Sequence, residues 1–515
     1  MKRLFLVLGV SLFVCACSGN GGSTGSSSST STASSTPPVV AAPCGTGNES
    51  LLNGQYGFSL SGFNGTGFLA VAGAFKADGT GNITGGEADT NSASGSSNSA
   101  IDPTNSSYTV GNDDRGCATI ATTFGTFKTR FVLSSHPGSA DPQGRIIEFD
   151  SANSSAYVAS GEILLQIPSS FFGGFGGGYS FGLTGWDFNS NQATDIIGVI
   201  SAAGGQITSF ESVENNGGKI FNNPPGTITG TYSSFDNYGR ATVEFTSTGG
   251  GARAVLYMSS ALQALYLQVS GSPVVVGEMQ QQTVPVGGFT DGSVNGSMVL
   301  YGNGASGASS EDSFIGLLNS TGSGTLTASM YEVDGANNTI NGTGWQSLQN
   351  ATTYTCSYSV SKNGRIDLSG SDPHCAAAPV FYLTEANSAF LLGQNPQMAQ
   401  FGSVEPHANM TFNNSTLAGD FFVGPLGVIS QAQQTEVDRM TLGNGGGMCV
   451  SDTTSTATQH ADDDASVSYT INSDGTVTTN TSGIPVVQMI VINGSRYVMI
   501  NHLTDVYPYV LIGQQ

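Results

Sequence analysis

The stretch Tyr108–Gly116 (YTVGNDDRG) decides how this chain is read, because its pattern returns three times. It reappears as YSSFDNYGR from Tyr232, YSVSKNGR from Tyr358 and YTINSDGT from Tyr469. Each copy is a tyrosine heading a short strand-like run that ends in a tight polar turn. Three copies carry an arginine beside the turn, Arg115, Arg240 and Arg365, and the fourth has Thr476 there. The tyrosines stand 124, 126 and 111 residues apart. Self-similarity at such a spacing marks repeated structural units.

Other landmarks keep their order around this signature. Each unit opens on a glycine and an aromatic or apolar run: NGQYGFSLSG from Asn53, GGYSFGLTG from Gly177, NGSMVLYG from Asn295 and LAGDFFVG from Leu417. Three units end near a glycine and a glutamate, at Gly161, Gly277 and Phe401, and the last ends in LIGQQ. The chain therefore divides into four modules of about 110–125 residues, at 48–168, 171–285, 290–407 and 410–515.

Alternation of apolar and polar residues dominates within each module. Tyr56, Phe58 and Leu60 fall on one face of a run, as do Tyr179, Phe181 and Leu183. Period two with polar partners predicts half-buried antiparallel strands. Turns such as ADGTGN, KNGR and SDGT suit hairpins, because Gly and Asn tolerate positive φ. The prediction is an all-β chain with seven or eight short strands per module. A sequential meander closes into a small lipocalin-like barrel, which removes exposed edges. A two-sheet sandwich fits the same pattern and is the second choice.

Composition narrows the setting. Glycine supplies 72 of the 515 residues, and charged residues are only 10%. The formal net charge is −22, with 36 acidic against 14 basic side chains. No Lys/Arg cluster follows Arg3, so nucleic acid is excluded as a partner, since phosphate binding needs basic patches. The N-terminus has Lys2 and Arg3, an apolar run from Leu4 to Val14, then Cys15-Ala16-Cys17. That run is too short to span a bilayer as a helix and reads as an export signal.

The Val14-Cys15-Ala16-Cys17 segment resembles a bacterial lipobox. The resemblance implies a signal peptide over 1–16, cleavage after Ala16, and palmitate-type acylation of Cys17. Ser18 rather than Asp follows, which by the same analogy favours the outer membrane. Residues 17–47, rich in Ser, Gly, Thr and Pro, then form a flexible tether. The whole arrangement resembles tandem-β-repeat lipoproteins of soil bacteria, through the GQY-type opening, the DGxGN turn and the YSVxxNGR strand. That resemblance implies the architecture and carries no activity.

Five cysteines remain after processing. Cys356 and Cys375, 19 apart across a strand–turn–strand pattern, are the best disulfide pair. Cys44 is matched with Cys117, and Cys449 is left over. Oxidising compartments favour such bonds. Asp78 and Asn82 in the ADGTGN loop, and the run Asp462-Asp463-Asp464, are the candidate hard-cation ligands. Ca²⁺ is thus the one cofactor considered, against a plain turn and a solvated loop. GNGASG at Gly302–Gly307 and Ser359-Val-Ser-Lys362 match nucleotide and acyl-transfer motifs only as strings, because both need a helix that the pattern lacks. Arg115, Arg240 and Arg365 are expected to pair with nearby acids such as Asp114, Asp236 or Asp367 and to close their own modules. Aromatic residues such as Phe171, Phe172, Phe175, Tyr507 and Tyr509 are packing residues or sugar platforms. The functional expectation is an envelope-anchored, non-enzymatic binding or structural protein with a glycan or protein ligand. The alternative is a polysaccharide hydrolase whose site assembles between modules.

Overall fold

The computed structural model describes residues 44–134, 144–150, 157–247, 250–306, 310–334, 352–372, 375, 378–427, 434–455, 458–481, 484–501 and 508–515. Antiparallel hairpins follow one another along the chain, and each module forms its own sheet. Barrels 3 and 4 are closed rings of eight strands. Barrels 1 and 2 each carry a ninth strand, beyond the expected seven or eight. In barrel 2 the extra strand is Lys219–Asn223, a flap on Gln206–Asn216, and closure comes from Gln206 and Ile207 pairing with Thr231 and Gly230. In barrel 1 the flap is Gly95–Ala100, and the sheet ends meet at the Asn82–Ser107 bridge.

The recurrent tyrosine locks each closure. The backbone N–H groups of Tyr108, Tyr232, Tyr358 and Tyr469 donate to the carbonyls of Gly81, Gly205, Gly324 and Gly445, each at 2.9 Å. Their hydroxyls reach the segment leading into the barrel. Tyr108 donates to Leu52 at 2.7 Å, Tyr232 to Phe175, Tyr358 to Val294 at 3.0 Å, and Tyr469 to Leu417 at 3.5 Å. One side chain thus plugs the closed end and satisfies a carbonyl that would otherwise lose its water. The turn that follows also repeats. Asp114, Gly239, Gly364 and Gly475 hold positive φ, and their carbonyls accept from Leu133, Met258, Leu383 and Val491. Glycine is the usual residue there because it lacks the Cβ that penalises this conformation.

Among the described residues eight apolar clusters make up the core, four inside barrels and four between them. Barrel 1 is filled by residues such as Tyr56, Phe58, Phe75, Phe127 and Phe131. Outward-facing residues form the joints. Phe63, Phe68 and Ala72 of barrel 1 meet Val255, Leu265 and Val274 of barrel 2. Ile197 and Val213 of barrel 2 meet Val380 and Leu392 of barrel 3. Val299 and Ile315 of barrel 3 meet Ile490 and Val510 of barrel 4. Phe422 and Val437 of barrel 4 return to Val132 and Ile147 of barrel 1. The early strands of each barrel pack on the late strands of the next, and the fourth contact closes a ring.

The links between barrels are pinned at their closed ends. Gln166 donates to the carbonyls of Tyr238 and Met258, and Gln282 donates to those of Asn363 and Leu383. His407 takes the matching place, with Nε2 3.0 Å from the Val491 carbonyl and its ring stacked on Phe412. These contacts join closed end to closed end, so all four closed ends lie on one face of the ring. At their other ends, Asn91 of barrel 1 donates to Gln268 of barrel 2, and Asn215 of barrel 2 to Gly393 of barrel 3.

Candidate functional site: the open second barrel

Barrel 2 differs from its neighbours in what fills it. A cavity of about 260 Å³ occupies its interior on the side away from the closed end. Phe181, Leu183, Ile200, Phe210 and Met279 line its depth, and Ser212, Glu214, Asn223 and Gln268 line its mouth. Ile196, Phe210, Ile228 and Phe245 are only half-buried although they face inward. An apolar barrel interior that water can reach is the kind of concave site that takes a small ligand.

The cause lies in single side chains. The matching hydrogen bonds to Asp114 and Gly239 set Leu133 of barrel 1 opposite Met258 of barrel 2. Counting back along both strands puts Phe127 where barrel 2 has Ala252, and Phe131 where it has Leu256. Phe127 and Phe131 belong to the packed core of barrel 1. Ala252 lines the cavity instead. The register of the strands is kept while the filling ring is removed.

Polar groups at this site are mostly acceptors. The Gln268 amide nitrogen is spent on the carbonyls of Ser270 and Pro273, at 3.1 and 2.7 Å, which leaves its oxygen for another partner. Tyr266 is 8% exposed, and its hydroxyl makes no hydrogen bond among the described residues. Burial alone pushes that phenol up from its ordinary range. Glu214 sits across the barrel from Tyr266. Burial pushes its carboxyl up, nearby Asp187 pushes the same way, and the Asn216 amide opposes both. Among the described residues Glu214 is the only charged side chain lining the cavity.

The turn arginines reach across the joints, and Arg115 and Arg365 also pair with acids of their own modules. Arg240 holds Asp89 of barrel 1, at 2.6 and 2.9 Å, and the Tyr257 hydroxyl donates to the same carboxylate at 2.7 Å. Arg365 lies 3.5 Å from Glu211 of barrel 2, to which Tyr382 donates at 2.8 Å, while it also pairs with Asp367. Arg115 reaches Asp452 at 3.2 Å and Asp462 at 2.6 Å in barrel 4, and Asp113 at 2.7 Å. Asp114 instead pairs with Arg439 of barrel 4, and Asp236 accepts from the backbone of Tyr238 and Arg240. At the fourth joint Thr476 stands where the other three barrels have arginine, and Ile490, paired with it, stands where barrels 2 and 3 have Tyr257 and Tyr382; Ile490 packs near Tyr331. Arg496 completes that joint by pairing with Glu405 of barrel 3 at 2.8 Å. The clefts between barrels, where a hydrolase site would assemble, hold ion pairs at these positions.

The remaining candidates fall as follows. Asp78 accepts from the backbone of Thr80 and Asn82 at 2.7 and 3.1 Å and from the Asn82 amide at 2.7 Å, so both residues serve the hairpin turn. Asp462 is committed to Arg115, Asp463 lies 3.7 Å from His460, and Asp464 pairs in register with Val450. Among the described residues no group of three acidic, His or Cys side chains is placed to hold a metal ion. Cys44 is bonded to Cys117 and Cys356 to Cys375; Cys449, expected to be left over, is buried inside barrel 4 and is itself disulfide-bonded. Gly302–Ser306 lies in a paired strand rather than a loop. Phe171, Phe175 and Tyr509 are core residues, and Phe172 is exposed. Cys17, the tether up to residue 43, and Tyr507 lie outside the described residues. The cavity residues Tyr266, Glu214 and Ala252 were not marked by the repeat signature. Aligning the repeats strand by strand, down to Phe127 against Ala252, is the signal that finds them.

No family model matches this chain, and no curated protein matches it. Among solved structures, it is similar to a protein of unknown function from the DUF3598 family of Nostoc punctiforme. The identity is 8%, the match covers 68% of this chain and all of that one, and the TM-score is 0.13.

Proposed function

We propose that this protein is a non-enzymatic binding protein, anchored in the cell envelope through lipid on Cys17, in which a rigid ring of four barrels presents one open barrel to a small apolar ligand. The cavity of barrel 2 carries the binding part of this reading. It is enclosed by Phe181, Leu183, Ile200, Phe210 and Met279, and it exists because Ala252 stands where barrel 1 has Phe127. A comparable apolar cavity of about 150 Å³ takes up benzene, so this one is large enough for a molecule of several carbons. The lipobox-like segment ending in Cys17 supports the anchoring part.

Both parts have direct tests. The Cys17→Ala chain should move from the membrane to the soluble fraction, and unchanged membrane association would refute the anchor. In that soluble chain, the neutral dye Nile red should bind saturably with one dye per protein. Ala252→Phe, which supplies the ring barrel 1 already accommodates, should abolish this binding while leaving the unfolding midpoint near the parent value. Dye binding that survives Ala252→Phe would refute the cavity as the site.

A further inference from the structure

Resting on that binding reading, we infer that barrel 2 selects a ligand with an apolar chain and a neutral or cationic hydrogen-bond-donating head, and rejects the same chain ending in a carboxylate. The cavity is polar at one end only. Phe181, Leu183, Ile200 and Met279 line the depth, and Glu214, Asn223 and Gln268 line the mouth. A chain therefore enters tail first and leaves its head among the mouth residues.

The head meets acceptors. Glu214 offers carboxylate oxygen, and Gln268 offers the amide oxygen its nitrogen contacts leave open. The Asn223 amide is donated to Ser212 at 3.0 Å. Asp187, which acts electrostatically on Glu214, adds a second acid beside the mouth. Among the described residues no Lys, Arg or His lines the cavity. A ligand carboxylate would thus lose its water and face like charge without a cation to answer it, which is costly in a partly dry site. A hydroxyl or ammonium head gains acceptors instead.

Three probes with one tail separate the possibilities. In the Cys17→Ala chain at neutral pH, n-octanol and n-octylamine should displace Nile red, and n-octanoate should be at least about tenfold weaker. Glu214→Gln should raise n-octanoate affinity toward that of n-octanol. If dye binds but n-octanoate competes as well as n-octanol, the head-group inference falls while the cavity reading stands. An unchanged octanol-to-octanoate ratio in Glu214→Gln also overturns it. If no dye binds, or binding ignores Ala252→Phe, the cavity reading itself falls.

Discussion

Arg240 of barrel 2 grips Asp89 of barrel 1 through two hydrogen bonds, 2.6 Å from Nε to Oδ2 and 2.9 Å from Nη2 to Oδ1. The two residues are 151 positions apart, and the Asp89 side chain is 4% exposed. Removing the guanidinium would leave a buried carboxylate with only Tyr257 to answer it. Arg240→Ala should therefore destabilise the chain by about 3 kcal/mol. Arg240→Lys should recover less than half, because an ammonium cannot reproduce the paired geometry. Urea unfolding of the three proteins measures this, and an Arg240→Ala midpoint equal to wild type would contradict it.

The closed end of barrel 1 depends on Tyr108, whose hydroxyl lies 2.7 Å from the Leu52 carbonyl and 3.1 Å from that of Glu49. Tyr108→Phe keeps the ring and loses those bonds, so it should cost about 1–2 kcal/mol. Tyr108→Ala also opens a cavity and should cost about 3–5 kcal/mol. The contrast between the two variants in chemical unfolding is the check; equal losses would mean that the hydroxyl contributes nothing.

Acidity should favour the fold. Burial pushes Asp195 up to about 7, against a hydrogen bond from Thr184. Burial likewise pushes Glu148 up to about 8, and raises Glu311 and Asp438. The unfolded chain releases these protons in the ordinary carboxylate range, whereas the folded chain holds them higher. Between those limits the folded state binds more protons, so stability is full on the acid side and falls as pH rises through about 7–8. The thermal midpoint should be higher near pH 5 than near pH 8.5, and Asp195→Asn should flatten the profile. A midpoint that rises with pH over this interval would reverse the assignment.

The Cys356–Cys375 bond closes a loop with a sequence separation of 19 inside the core of barrel 3. By loop closure it is worth about 3 kcal/mol. Cys356→Ser with Cys375→Ser should lower the denaturation midpoint by that amount or more, since two buried hydroxyls replace apolar sulfurs. Equal midpoints for the double variant and the oxidised parent would show that the bond adds nothing to stability.

Much of the barrel fold was legible, because its determinants are local. Tyr108 and its three counterparts, the glycine turns and the Tyr56–Phe58–Leu60 alternation all act within a few residues. The ring was harder to see. Its signal was present in runs such as Ala254–Met258 and Val274–Val276, which are apolar on both faces and so require a partner outside the barrel as well as a core within. The arginine partners were not legible, since Asp89 and Asp452 come near Arg240 and Arg115 only when separate barrels dock. The cavity rests on a size difference between Ala252 and Phe127 that no motif carries.

The ring has two unlike faces, and this gives the molecule a direction. Residues 45–48 run along the turn near Gly111 and Val110, so the chain arrives at the closed-end face. The mouth of barrel 2 opens on the other face. A tether pulling at residue 44 would hold the plugged side toward whatever it is fastened to, and the opening would look outward. Ligand could then come and go without the protein letting go of its support.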